Sequence, residues 1–192
     1  MQQTYIFGYG SLINLNSISK TLRRPLVKND LWVITIQGCK RTWSIKDDVY
    51  SEKLQKAVSA VFLNIEINNQ LESVCNGVIF KVNTEELKYL ICREKNYLPV
   101  DVTNKTIGFD INDKKIISFI GKPEFIIRTP NDNSFVMNNY LQILYDGCNF
   151  WGKEFRKAFL NSTQLNPFSI LDGDYRFIDS KQNEAINTDK IP

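Results

Sequence analysis

Two short groups of residues have the types and spacing that a small-molecule site requires. The first is the turn Gly8-Tyr9-Gly10-Ser11-Leu12, which directly follows the apolar run Tyr5-Ile6-Phe7. Glycines let a backbone bend sharply and approach a ligand closely, and the free N–H groups of such a turn can cradle an anion. The turn lacks the lysine of a P-loop and the third glycine of a dinucleotide fingerprint. It therefore predicts a carboxylate or phosphate site, with a purely structural turn as the alternative.

The second candidate is Glu94, in the last turn of a predicted amphipathic helix. Leu87, Leu90 and Ile91 form the apolar stripe of that helix, and Glu94 extends the same stripe by one turn. Burial and the helix dipole both disfavour a negative charge at this position, so we expect a raised pKa, as a general base or acid at neutral pH requires. The alternative is that the helix frays and Glu94 pairs with a basic residue at the surface.

The absence of histidine, together with the positions of Tyr97 and the cysteines, limits the kinds of catalytic and metal site that the chain can form. The sequence contains no histidine, which excludes a Ser-His-Asp triad, a Cys-His pair and a His-ligated metal within these 192 residues. Tyr97, three residues beyond Glu94, either orients a ligand or is an ordinary half-buried tyrosine. The four cysteines are far apart and contain no C-x-x-C pair, so they predict reduced, packed thiols. They are Cys39, Cys75, Cys92 and Cys148.

Composition and charge exclude several classes of protein. The chain is 43% hydrophobic and 23% charged, which is typical of a globular protein. Its 24 basic and 21 acidic residues are interspersed and give a net charge of +3, so we expect no nucleic-acid partner. The first residues have no basic segment and no long apolar segment, and no apolar run approaches the ~18 residues of a membrane span. We expect a cytoplasmic protein with a small-molecule ligand and no membrane partner, as a monomer or a homodimer.

The elements that must position these residues are a mixture of strands and helices. Strands are predicted over residues 5–7, 31–36, 57–67, 74–82, 97–102, 106–111 and 115–120, with a bulge at Gly77 and a hairpin turn at Asn112-Asp113. Helices are predicted after Asn14 or Asn16, from Asn83, from Ser134 to a stop at Gly147, and over 150–162. Strands first and helices in clusters favour an α+β fold.

The domain organisation is simple. No repeat or Pro/Gly/Ser linker divides the chain, so we expect one domain over residues 1–179. Residues 180–192 are polar and weakly patterned, which predicts a C-terminal tail that is frayed or loosely docked. The basic pairs Arg23-Arg24 and Lys40-Arg41 are expected at the surface, and Trp43 and Trp151 in the core.

Four blocks of the chain, taken in order, resemble the γ-glutamylcyclotransferase family, which includes ChaC-like branches. Residues 5–12 (YIFGYGSL) are similar to the family's opening signature. Residues 37–43 (QGCKRTW) resemble its G-x-x-R-x-W stretch, although Lys40 beside Arg41 and Cys39 depart from it. Residues 76–80 followed by R-E-x-x-Y over 93–97 resemble the block with the catalytic glutamate, and residues 140–163 resemble the C-terminal helices of bacterial members. The resemblance extends to about residue 175.

The resemblance implies a fold, a reaction and a set of residues. The fold would be a small, mostly antiparallel β-barrel surrounded by helices. The reaction would convert a γ-glutamyl compound to 5-oxoproline and a free amine or amino acid, without a cofactor or metal. Glu94 would be the catalytic base and acid, the backbone of Tyr9, Gly10, Ser11 and Leu12 would hold the substrate, and Tyr97 would line the pocket. A protein that binds or senses a small carboxylate on the same fold, without catalysis, is the alternative.

Overall fold

A computed structural model describes residues 2–68 and 72–186, which contain eleven strands, five α-helices and four short 3-10 helices. The strands are Gln3–Gly8 (β1), Leu31–Gln37 (β2), Cys39–Ser51 (β3), Lys56–Ile67 (β4), Val74–Val82 (β5), Tyr97–Asp101 (β6), Thr106–Ile107 (β7), Lys114–Gly121 (β8), Ser134–Met137 (β9), Ser169–Leu171 (β10) and Tyr175–Phe177 (β11). The helices are Leu15–Leu22 (α1), Thr84–Arg93 (α2), Asn138–Trp151 (α3), Lys153–Asn161 (α4) and Ser180–Ile186 (α5).

The first sheet carries β1 near its centre. Its strand order is β6-β8-β1-β5-β2-β7, and every pair is antiparallel except β1 with β8. Tyr5, Ile6 and Phe7 of β1 are all buried, which explains why this strand has a continuous apolar run and no alternation. The turn that follows β1 therefore begins from a strand that is held on both sides.

The second sheet has the order β10-β9-β4-β3-β11, with β3 and β4 as a long antiparallel pair. The two sheets curl toward each other as a half-barrel, with the helices packed around them. They meet at Gly121, whose N–H donates to Asn64 Oδ1 at 2.8 Å. A Cβ at Gly121 would lie 2.0 Å from Ile45 Cδ1, so the sheets touch without room for a side chain. The expectation of an α+β, mostly antiparallel barrel-like fold is confirmed.

Two predictions about the sheets are wrong. Gly77 pairs in regular register with Ile34, and the irregularity lies between Trp43 and Ile45 instead. Gly77 is a glycine for a different reason, because a Cβ there would lie 2.4 Å from the carbonyl oxygen of Gly8. The turn at Asn112-Asp113 does not join a hairpin, since β7 pairs with β2 and β8 pairs with β1 and β6.

The helix predictions hold best where a capping residue is present. Asn83 accepts hydrogen bonds from Glu85 N and Glu86 N at the start of α2, and Asn14 caps α1 in the same way. Ser134, by contrast, begins strand β9, and α3 passes through Gly147 without ending there. The helix ends at Gly152, whose φ of 98° is a left-handed conformation that favours glycine, and α4 follows directly.

Two surface predictions also need correction. Arg41 is fully buried, whereas Arg23, Arg24 and Lys40 are accessible. Residues 180–186 of the predicted tail form α5, which packs against α2 and β11 and buries Gln182 and Ala185. Loose docking is therefore wrong for these residues, and residues 187–192 lie outside the described part of the chain.

Candidate active site

The turn after β1 folds back tightly over its own glycine. A Cβ at Gly8 would lie 2.3 Å from the carbonyl oxygen of Leu12, so no larger residue fits without moving the turn. A short 3-10 helix, Ser11–Ile13, closes the turn. Within residues 2–68 and 72–186, no group accepts a hydrogen bond from the backbone N–H of Tyr9, Gly10, Ser11 or Leu12. These donors can therefore hold an anionic group, as the sequence predicts.

Glu94 is the residue at which α2 ends. Its backbone N–H donates to Leu90 O at 2.8 Å, and its side chain is only 15% exposed. Arg93 Nε donates to its Oε1 at 3.0 Å. Burial raises the pKa of Glu94, the charge of Arg93 lowers it, and Asp47 raises it, so that the net shift is upward. Glu94 is thus both buried and ion-paired, which combines the two sequence alternatives.

Arg93 connects Glu94 to the turn and to α1. Its guanidinium has five N–H donors, and the structure provides an acceptor for each of them. Nη2 donates to Ser11 Oγ and Ser17 Oγ at 2.9 Å each, while Nη1 donates to Ser17 O at 3.2 Å and to Thr21 Oγ1. Nε is the donor to Glu94. Because every N–H is used, Arg93 orients its neighbours and has no donor left for a ligand.

A two-lobed cavity opens beside Glu94. The smaller lobe, about 310 Å³, is lined by the turn, and we call it the loop lobe. The larger lobe encloses about 560 Å³, part of it open to solvent, and reaches β11 and α5, so we call it the α5 lobe. The wall that the two lobes share consists of Ser11, Glu94, Tyr97 and Tyr140.

The tyrosine hydroxyls around the loop lobe are used differently. Tyr9 donates to Phe119 O at 2.6 Å, and Tyr97 donates to Leu63 O at 3.0 Å, so both hydroxyls are engaged with the fold. Tyr140 accepts from Leu63 N at 3.3 Å, and no group in the described part of the chain accepts the Tyr140 proton. Burial raises the pKa of all three hydroxyls, so they stay protonated donors at neutral pH.

All six residues singled out from the sequence lie around one lobe. Tyr9, Gly10, Ser11, Leu12, Glu94 and Tyr97 line the loop lobe together.

Among the cavity residues that the sequence did not single out are Tyr140, Asp47, Tyr175 and Gln182. Asp47 could have been found, because Ile45, Asp47 and Val49 alternate with exposed residues along β3 and so share the inward face. No local pattern marks the other three.

Three further findings concern the cysteines, metal ligands and membrane spans. Cys39, Cys75 and Cys148 are buried free thiols, and Cys92 is partly exposed. Within residues 2–68 and 72–186, no group of three or more His, Cys, Asp or Glu side chains could hold a metal ion. None of the helices in that part of the chain has the length and apolar character required to cross a bilayer.

Comparison with solved structures identifies the fold to which this chain belongs. No protein-family model and no curated protein sequence matches the chain. A solved structure of an uncharacterized protein from Homo sapiens aligns with 91% of this chain and 95% of its own, at a TM-score of 0.57 and 15% identity. A solved structure of a γ-glutamyl cyclotransferase aligns with 97% of this chain and 99% of its own, at a TM-score of 0.55 and 15% identity. The chain therefore has the γ-glutamylcyclotransferase-like fold.

Proposed function

We propose that this protein is an enzyme of the γ-glutamylcyclotransferase type. It converts a γ-glutamyl compound to 5-oxoproline and releases an amine or amino acid, with Glu94 as general base and then general acid. The observation that carries the proposal is the position of Glu94, a buried carboxylate with a raised pKa that lines the loop lobe together with the turn after β1, whose N–H groups have no acceptor in the described part of the chain.

The reaction requires the protein to orient the substrate and to transfer protons between its two nitrogen atoms. The α-nitrogen of the glutamyl unit forms a bond to its own γ-carbonyl carbon, and the bond from that carbon to the leaving nitrogen breaks. Because attacking and attacked atoms belong to one molecule, good orientation contributes roughly 7–11 kcal/mol. Glu94 takes one proton from the α-ammonium and returns it to the leaving nitrogen. The attacking nitrogen loses a second proton as the lactam forms, and this proton passes through Glu94 to the released amine, so one carboxyl group serves all the transfers.

The other groups of the loop lobe have matching roles in this proposal. The N–H groups of Tyr9 to Leu12 hold the substrate's α-carboxylate or the oxygen on which negative charge develops. The hydroxyl of Tyr140, for which the described part of the chain offers no acceptor, supplies a further hydrogen-bond donor on the wall that the two lobes share. Arg93 is a positioning residue, because its contacts to Ser11 and Glu94 keep the turn and the base in one arrangement.

Release of 5-oxoproline from purified protein tests the proposal. The panel comprises γ-glutamyl-alanine, the γ-glutamyl-lysine isopeptide, glutathione and γ-glutamylamines. We expect release by the wild type and by Glu154→Gln, a matched control on the exposed face of α4. Glu94→Gln should release far less.

Two outcomes would contradict the proposal. Full activity of Glu94→Gln would remove Glu94 from the mechanism. Silence of the folded wild type across the panel would favour a small-carboxylate binding protein on the same fold, which a thermal-shift screen of glutamate and 5-oxoproline would then examine.

A further inference from the structure

Two buried thiols from different sheets lie side by side, and neither lines the cavity beside Glu94. Cys39 begins β3 in the second sheet, and Cys75 belongs to β5 in the first. Cys75 Sγ is 3.7 Å from the carbonyl oxygen of Cys39. Cys39 Sγ is 3.6 Å from the carbonyl oxygen of Ile36, which is the residue opposite Cys75 in the β2–β5 pair. A hydrogen bond joins the two thiols.

A buried cation belongs to the same cluster. Arg41 follows Cys39 by two positions on β3 and is fully buried, and its Nε has no hydrogen-bond partner in the described part of the chain. Its positive charge acts on the thiols of Cys39, Cys75 and Cys148. A cation beside a thiol favours the thiolate, which is the form of cysteine that reacts with oxidants.

The two thiols differ in the ease with which they ionise. The hydrogen bond between them lowers the pKa of Cys75 and raises that of Cys39. Burial opposes ionisation of both thiols, and the charge of Arg41 favours it in both. The net shift is downward for Cys75 and upward for Cys39. Cys75 is therefore the thiol that ionises, with Cys39 as its hydrogen-bond donor.

A groove at the C-terminal end of α4, which we call the α4 groove, leads from the surface to this pair. It encloses about 960 Å³, part of it open to solvent, and its lining residues include Cys39, Asn76, Ser162 and Thr163. Cys75 lies behind the same wall, since its Sγ is 4.0 Å from the carbonyl oxygen of Ser162. Because neither cysteine has exposed surface, an oxidant that reaches them must be small.

We propose that Cys39 and Cys75 form a reversible disulfide when a peroxide oxidises the protein, with Cys75 as the attacking thiolate and Cys39 as the thiol that completes the bond. This modification site is independent of the proposed reaction at Glu94. The disulfide would link β3 to β5 across 36 positions of chain and so join the two sheets covalently.

The oxidation balances with hydrogen peroxide as the electron acceptor. Cys75 Sγ forms a bond to one oxygen, the O–O bond breaks, and hydroxide leaves and takes up the proton that Cys75 had released. Cys39 Sγ then forms a bond to Cys75 Sγ, and the oxygen on Cys75 leaves as water with the proton of Cys39. Two thiols thus lose two electrons and two protons, and the peroxide becomes two waters.

Peptide mapping after peroxide treatment tests the proposal. Reduced protein is exposed to increasing hydrogen peroxide, and the remaining thiols are blocked with N-ethylmaleimide in denaturant before digestion with trypsin. We expect a linked pair of the peptides 29–40 and 57–81, which contain Cys39 and Cys75. Dithiothreitol should convert this pair back to free peptides. Cys148 serves as the internal control, because it is also a buried thiol in the field of Arg41 but has no thiol partner.

Serine variants test the roles of the two thiols. Cys39→Ser keeps a hydrogen-bond donor for Cys75 but cannot complete a disulfide, so the sulfenic acid of Cys75 should accumulate and react with dimedone. Cys75→Ser removes the attacking thiolate, so Cys39 should stay reduced. Cys148→Ser is the matched control and should form the linked pair as the wild type does. Circular dichroism identifies any variant that fails to fold, and the wild-type map tests the disulfide without them.

The results separate the proposal from ordinary oxidation of an accessible thiol. Linkage of Cys39 to Cys75 at lower peroxide concentration than oxidation of Cys148, with reversal by dithiothreitol, supports it. The proposal is overturned when Cys39 and Cys75 stay fully alkylated after the partly exposed Cys92 has been oxidised. Conversion of wild-type Cys75 to sulfinic acid without a linked peptide also overturns it. Dimedone labelling of Cys39 in Cys75→Ser, with none of Cys75 in Cys39→Ser, overturns the assigned roles.

Discussion

Arg41 and Arg93 are both buried in this protein, but their guanidinium groups have different partners. Arg41 donates from Nη1 to the Phe159 carbonyl at 3.1 Å and to the hydroxyls of Ser162 and Thr163, and its Cζ lies 3.9 Å from the centre of the Phe159 ring. No carboxylate in the described part of the chain pairs with it. Arg93 pairs with Glu94 beside a cavity.

The difference separates a structural site from a candidate catalytic site. Around Arg41, neutral oxygens replace the water that the charge loses, and burial still lowers its pKa. Its contacts join β3, β5 and α4, so its role lies in the fold. Around Arg93, the partner is an acid whose proton can move. Substitutions at the two sites should therefore separate stability from activity.

The largest effect is expected for Glu94→Gln. Loss of a positioned general base typically costs about 10²–10⁴ in rate, so we expect kcat/KM for 5-oxoproline release to fall within that range. The Gln oxygen can still accept from Arg93 Nε, so the variant should fold. Equal losses of activity and of thermal stability would contradict a catalytic role.

The pH dependence of stability sharpens the same test. Burial raises the pKa of folded Glu94 above that of the unfolded chain. Its contribution to stability is therefore present below the unfolded pKa and is lost as pH rises through the folded pKa. We expect the unfolding free energy of the wild type to decline with rising pH relative to Glu94→Gln, as urea titrations at several pH values would show.

The second largest effect is expected for Arg41→Met. This change removes the side-chain donor to the Asn76 carbonyl, while the Phe159 carbonyl keeps the hydroxyls of Ser162 and Thr163 as donors. Because an unsatisfied buried group costs about 1–3 kcal/mol, the unfolding free energy should fall within that range. Activity per folded molecule at low temperature should stay near that of the wild type, and a large loss in kcat with intact stability would reverse the assignment.

A smaller effect is expected for Arg93→Met on the pH–rate profile. Arg93 lowers the pKa of Glu94, so its removal should raise that pKa further and move the acidic limb of kcat/KM to higher pH. Arg93→Lys keeps the charge but has three donors in place of five, and should restore part of the profile. A profile that does not move in either variant would show that Arg93 does not act through Glu94.

The smallest effect is expected for Asp47→Asn on the same profile. Asp47 is the weakest of the groups that shift Glu94, and it raises that pKa. Its neutralisation should move the acidic limb to lower pH, opposite to Arg93→Met. Asp48→Asn serves as the control and should leave the limb in place. A shift to higher pH would contradict the electrostatic account.

Local sequence patterns were sufficient for the elements that present Glu94 and the turn. Asn83 caps α2, and the glycines after β1 permit the tight turn. The predicted apolar stripe of α2 is only partly right, because Leu90 is buried but Ile91 is 46% exposed and Glu86 and Arg93 are buried in its place. Each of these signals acts over a few residues, because helix and strand periodicities are properties of adjacent positions. The predictions for Ser134 and Gly147 were wrong, because β-sheet pairing and helix packing overrode the local preference there.

The sequence by itself determined which acid lies at the end of α2, that a glycine turn follows β1, and that these 192 residues contain no histidine. Only the tertiary structure decided that Arg41 is buried and that every N–H of the Arg93 guanidinium donates to a protein acceptor. It also decided that Asp47 accepts a hydrogen bond from Gln182, which lies 135 positions further along the chain. The physical reason is that burial and hydrogen-bond partnership depend on which surfaces pack together. No periodicity along the chain records that information.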